Sequence, residues 1–190
     1  SMKKIVNDWI KIYGNYKKEI WDENILSKRI IAWISNADLF LDKKEDKFHK
    51  FFTMYLIKQV NFLKKNLNII TYDTTRISCL ASIILSGLVF KENEDNFNIG
   101  IKELEKFVKT HFDKDGFTLS RSANDLIFFT KYLLLCRENI KDAQKYLPEF
   151  LEDIIKKNLE CIKIFQTPDN QIPLFNLSLI HISEPTRLRR

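Results

Sequence analysis

Between Phe48 and Leu63 the apolar side chains Phe48, Phe51, Phe52, Tyr55, Leu56, Phe62 and Leu63 recur at spacings of mostly three and four, with Lys47, Lys50 and Lys58 on other faces. A helix of 3.6 residues per turn gathers such a set onto one side, so this stretch reads as a long amphipathic helix that must bury a stripe against neighbours. The same spacing returns along the chain. Leu26, Ile30, Trp33, Ile34 and Ala37 share a face within 20–37. Cys79, Leu80, Ile83, Ile84, Gly87 and Leu88 form a stripe within 74–90, where Asp73 or Thr74 can cap the start and Gly87 predicts close helix packing. Ile101, Leu104, Phe107 and Val108 point inward from 97–112, which the turn signal Asp115-Gly116 closes. Residues 124–137 are apolar nearly all round, predicting a helix with neighbours on several sides. Pro148 suits the first turn of a last helix, in which Leu151, Ile155, Leu159 and Ile162 share a face. After Pro168-Asp169-Asn170, residues 171–175 read as a short extended piece.

Four Gly and four Pro in 190 residues leave little material for the turns of a β fold, and the length suits one domain with its own core. The fold class is therefore all-α, with short connections that make consecutive helices antiparallel hairpins. Two architectures fit: a solenoid of helix pairs, or part of an (α/α) toroid whose loops line a central cavity. No self-similarity with a period of about 34 or 40 residues favours the solenoid.

The formal charge is +6, but Arg187, Arg189 and Arg190 against Glu184 carry +2 of it in the last residues. Elsewhere lysines alternate with acids, the pattern of solvated helix faces, so no nucleic-acid partner is expected. Cys79, Cys136 and Cys161 lie in or beside apolar segments without CxxC spacing and read as buried thiols. His49 and His111 lack a Cys, His or Asp partner at metal spacing, and no Gly-rich phosphate loop, GxSxG or HExxH occurs, so neither metal nor cofactor is expected. No apolar run approaches the roughly 20 residues of a membrane span, and no signal-peptide core is visible. A soluble chain without a membrane partner is the expectation; the compartment stays open. Trp9, Trp21 and Trp33 are spaced for helix packing, with sugar stacking as the alternative.

Residues Leu177 to Arg187, LSLIHISEPTR, break the helical pattern. They equal the translation of the end sequence of a transposase adapter used in preparing sequencing libraries. The expected organisation is thus a helical, incomplete toroid-like domain over 1–176 and a non-native tail over 177–190, with the native gene interrupted near Asn176. His181 and the terminal arginines then carry no function. The alternative is a natural basic tail.

Three blocks resemble heparinase II/III family proteins. Trp21 to Asn36, WDENILSKRIIAWISN, is similar to a segment that precedes helices in that family. Asp115 to Ser122, DGFTLSRS, resembles its DG-G-H-x-S-R-N-P loop, and Asp169 to Asn176, DNQIPLFN, its DG-x-L-P-L-F-N-G segment. Their order and spacing match, and Leu177 stands where the family has Gly. The resemblance implies an α/α toroid followed by a β-sandwich domain, missing here, and a polysaccharide lyase that cleaves uronic-acid-containing glycans by β-elimination. A base removes the C5 proton, an acid assists the 4-linked oxygen, and polar groups neutralise the carboxylate. The partner implied is an acidic polysaccharide, and this fragment alone is expected to be inactive.

The same resemblance marks Arg121 and Asn124 as catalytic candidates that contact the substrate carboxylate, and Thr118 and Ser120 as substrate-binding residues. Thr118 replaces the family's His, and a Thr hydroxyl does not titrate near neutral pH. Each residue has a structural alternative: Arg121 as a bridge from the loop to a neighbouring helix, the Ser122 to Asp125 stretch with Asn124 as a helix cap, and Tyr132, a possible phenolic base, as core. The competing functions are a helical protein-interaction module and a nonenzymatic glycan-binding relative.

Overall fold

A computed structural model describes residues 2–39, 47–90 and 94–165. Among them are seven α-helices and no strand longer than an isolated bridge: α1 (Met2–Tyr13), α2 (Glu23–Ser35), α3 (Lys47–Asn66), α4 (Asp73–Val89), α5 (Glu94–His111), α6 (Ala123–Asp142) and α7 (Glu149–Ile164). The all-α reading stands. The extended piece expected at 171–175, the third family-like block and the tail at 177–190 lie outside the described residues.

Helix ends follow local chemistry. Asp22 caps α2, its Oδ1 accepting the Asn24 and Ile25 N–H groups at 3.1 and 3.2 Å, so the helix begins after Trp21 rather than at Ile20. Tyr72 holds the N-cap position of α4 without a side-chain bond, and Asp73 lies in the first turn, where its charge favours the helix dipole. Helix α6 runs on to Asp142, past the apolar run that marks it in sequence, because Ile140 is still buried. Gln144 then takes φ +54 and the Gln144 and Lys145 N–H groups bond back to Lys141 and Ile140 carbonyls, an αL helix stop.

Helix α4 packs against α2, α3, α5 and α6, and α6 packs on α7. Pairing directions follow from named contacts. Arg29 meets Gln59 while Glu23 meets Asn66, so α2 and α3 are antiparallel. Gly87 meets Phe97 and Ile84 meets Gly100, so α4 and α5 are antiparallel as well. Helices α1 and α3 run parallel, since Lys3 lies over Phe48 and Tyr13 meets Tyr55.

Being surrounded, α4 is buried without a break from Ile77 to Gly87. Its Ser78, Ser82 and Ser86 hydroxyls donate to carbonyls three residues back, which satisfies polar groups that would otherwise cost about 1–3 kcal/mol each in the core. A Cβ on Gly87 would meet the Phe97 backbone, with Phe97 Cα at 2.8 Å, so the close packing predicted from this glycine is present. The tryptophan spacing also serves packing: Trp9 and Trp33 meet edge to face at 5.3 Å, and Trp21 meets Phe62 in the same way at 5.3 Å.

Candidate functional site

The connection from α5 to α6, residues 112–122, has its backbone folded onto itself. Phe112 and Thr118 form an isolated antiparallel bridge. The Asp113 N–H donates to Phe117 O, Gly116 N–H to Asp113 O, Leu119 N–H to His111 O and Arg121 N–H to Thr118 O, all within 2.9–3.1 Å. Asp113 is the pivot. Its Oδ1 accepts the Asp115 and Phe117 N–H groups at 3.0 and 2.9 Å, and its Oδ2 pairs with Arg121 Nη1 at 3.0 Å. The Phe117 N–H leads, with the Asp115 N–H and the Arg121 charge adding to it, in holding the Asp113 carboxyl below its ordinary value against a smaller desolvation effect.

The loop is also docked on α7. Gly116, at φ +86, brings its backbone against Lys157 and Asn158, and Asn158 Nδ2 donates to Gly116 O at 2.6 Å. Phe117 packs on Phe165 at 5.7 Å. Such a frame positions side chains far better than a free loop would.

Arg121 sits on this frame at φ +56, a left-handed conformation that costs a non-glycine residue about 1–2 kcal/mol. Gln144, the other non-glycine residue of this kind among those described, sits where helices commonly stop in that conformation. Arg121 instead precedes a helix. Its side chain is 69% exposed, tethered by Asp113 and lying 5.9 Å over the Phe117 ring, so most guanidinium N–H donors face solvent.

The other three candidates differ in access. Thr118 is fully buried, and its hydroxyl donates to Ser122 O at 3.1 Å. Ser120 is exposed and donates to Asp125 Oδ2 at 2.6 Å. Ser122 is the N-cap of α6, accepting the Asp125 N–H at 3.2 Å, so the cap expected around Ser122 to Asp125 is made by Ser122. Asn124 lies in the first turn of α6 with its Oδ1 buried and without a hydrogen-bond donor among the described residues. Tyr132 is core, 6% exposed, and burial, with a smaller push from Cys79, raises its hydroxyl above the ordinary value.

Local spacing missed Asp113, Phe117 and Asn158, which hold the loop. Asp113 was recoverable from the Asp-x-x-Gly turn pattern, whereas Asn158 lies on another helix and left no local signal. It also missed that His111 Nε2 lies 3.0 Å from Asp73 Oδ1, a contact that ties the end of α5 to the start of α4. Among the described residues no cluster of three or more His, Cys, Asp or Glu could hold a metal. Comparison of the chain with protein families, with curated proteins and with solved structures gave no significant match in any of the three.

Proposed function

We propose that this chain is the N-terminal helical part of a polysaccharide lyase, in which the α5–α6 loop presents Arg121 to the carboxylate of a uronic acid. The observation that carries the reading is Arg121 itself. A strained, exposed arginine, held by an ion pair and a ring on a loop docked to α7, adds little that glycine would not supply better for folding alone. Its planar fork suits a bidentate bond to a carboxylate.

Neutralising that carboxylate lowers the cost of removing the C5 proton, since negative charge moves into it as the carbanion forms. Asn124, whose buried Oδ1 has no donor among the described residues, is the second candidate in this reading and would accept a sugar hydroxyl only once its side chain turned outward. Ser120 flanks Arg121, while buried Thr118 supports the loop through Ser122. The proton-abstracting base and the acid belong to the part beyond residue 176, together with a β-sandwich domain that completes the cleft. The all-α fold with antiparallel α2–α3 and α4–α5 pairs is compatible with part of an α/α toroid. The fragment alone is inactive in this view, and residues 177–190 derive from adapter DNA.

Resequencing the source locus tests the tail, because ordinary coding DNA there removes that idea. The uninterrupted protein is then assayed on a panel of uronate polysaccharides for the ultraviolet absorbance of unsaturated products. Arg121→Ala is expected to lower kcat/KM by roughly 100-fold with an unchanged melting curve. A folded full-length protein that acts on none of the polymers, or an Arg121→Ala variant as active as wild type, ends the proposal.

A further inference from the structure

The last turn of α5 ends in a histidine whose ring has no free nitrogen. His111 Nε2 lies 3.0 Å from Asp73 Oδ1 in the first turn of α4, and Nδ1 lies 2.8 Å from Phe107 O, one turn back in α5. Thr110 Oγ1 is also 2.8 Å from Nδ1, but its single proton is directed at the Lys106 or Phe107 carbonyl, at 3.0 and 3.1 Å. The ring thus faces a carboxylate, a carbonyl and a hydroxyl that already donates, all of them acceptors. Neutral imidazole has one N–H and sets a lone pair against the acceptor on its other side; the imidazolium satisfies both sides.

The surroundings suit a cation. His111 is the last residue of α5, where the helix dipole attracts positive charge, and Asp73 opens α4, where it attracts negative charge. The ring lies flat on Phe107 at 3.8 Å and meets Phe129 of α6 edge to face at 6.2 Å. Charged groups on the neighbouring elements are engaged elsewhere: Arg76, one turn along α4, faces Glu103 of α5, and Asp113 of the loop holds Arg121, while α6 presents only the Phe129 ring. Among the described residues Asp73 is the one charged side chain bonded to the ring.

We propose that protonated His111 is a pH-sensitive clasp that holds the base of the α5–α6 loop, and with it Arg121, against α4. The turn it anchors is the seat of the loop. The Leu119 N–H donates to His111 O at 2.9 Å, and Phe112, next in the chain, bridges Thr118. Loss of the Nδ1 proton sets two lone pairs against each other across 2.8 Å, so the ring turns away and the end of α5 is released from α4. The proton favours the clasped state, so the clasp holds on the acid side of the histidine range, about pH 5 to 8, and opens as pH rises through it. The device acts on the loop whatever ligand Arg121 takes and does not rest on the lyase reading.

The test uses the 190-residue chain with isotope-labelled histidine. In long-range proton–nitrogen spectra, His111 is expected to keep its second ring proton to higher pH in the folded chain than in the same chain unfolded in urea; the signal is identified by its loss in His111→Phe, which retains the stack on Phe107. Hydrogen exchange of the Leu119 N–H, corrected for base catalysis, should speed up about threefold between about pH 6 and about pH 8, the size expected of a partly exposed ion pair, and should be flat in His111→Phe. Melting curves check that the variant folds; if it does not, Asp73→Asn, which keeps the ring and removes the charge, is expected to flatten the same response. A His111 that gives up its second proton as readily folded as unfolded, an equal exchange response in wild type and variant, or a Leu119 rate that does not follow the ring titration overturns the proposal.

Discussion

Two regions of this molecule solve the packing problem in opposite ways. Around α4 the chain uses small residues. Gly87 and Gly100 let α4 and α5 approach until backbone meets side chain, and Ser78 meets Ser27 of α2 at 2.8 Å. Around α1 to α3 it uses plates. Trp9, Trp21, Trp33 and Tyr55 touch at centroid distances of 5.3 to 6.3 Å, and the Arg29 guanidinium lies 4.4 Å over Trp9 while donating to Gln59 Oε1 and Ile20 O. Close backbone approach leaves no slack, because the atoms in contact cannot rotate away. Aromatic plates meet through side chains, which can turn and so absorb a substitution better than fixed backbone can. The first region is a spine, and the second is a more adaptable half packed through rings, with Trp21 and Tyr55 buried in it.

Gly87→Ala is the sharpest way to break that contrast. Helix propensity alone predicts a gain of about 1 kcal/mol from replacing an interior glycine. Steric contact with the Phe97 backbone opposes it, and overpacking in a tight core costs about 1–3 kcal/mol or more. A net loss of about 2 kcal/mol by urea denaturation is expected; a more stable variant would show that the α4–α5 seam has slack.

Gly116→Ala extends the test to the α6–α7 side. The left-handed φ and the Lys157 and Asn158 backbone at 3.0 and 3.2 Å both resist a Cβ, for an expected loss of about 1.5 kcal/mol. Phe62→Ala samples the adaptable region. Burying a full phenylalanine stabilises by about 3 kcal/mol or more, but Phe62 is only half-buried, so about 1 kcal/mol is expected, and Phe62→Leu should be nearly silent. A loss from Phe62→Ala larger than that of Gly87→Ala would reverse the comparison.

These regions were unequally legible in the sequence. The positions of α2 to α7 and the α4 stripe follow from apolar spacing, because burial on one face leaves a 3.6-residue period in any single helix, whereas α1 was not read from it. Gly87 announced itself, since an interior glycine on an apolar stripe is costly without close packing. Two 3₁₀ turns, at Ala37–Leu39 and Leu67–Ile69, went unseen, for three residues are too few to carry a period. Arg29 gave no sign that it lies among tryptophans, because that depends on which helices meet. Arg121 and Asn124 were reached through a resemblance, and nothing local marks the left-handed backbone of Arg121 or the orphaned Asn124 Oδ1.

The smallest expected effect concerns Asp113, where the loop borders on the spine. Its carboxyl is held below the ordinary Asp range by the Phe117 and Asp115 N–H groups and by Arg121. A depressed folded value means that the charged form is favoured by folding. The stabilisation is therefore fully present above the unfolded value, about 3.9, and is lost as pH falls through the lower folded one. Wild type should lose stability over that acid window, and Asp113→Asn should lose less there while starting from a lower plateau at neutral pH. The Arg121 contact is exposed, so salt should trim the difference only slightly, whereas the backbone N–H bonds are insensitive to salt. If the acid slopes of wild type and Asp113→Asn coincide, the loop is not pinned by Asp113. Arg121 would then owe its position to the Phe117 ring and the docking on α7, and the ordered loop would belong with the adaptable half of the molecule rather than with the spine.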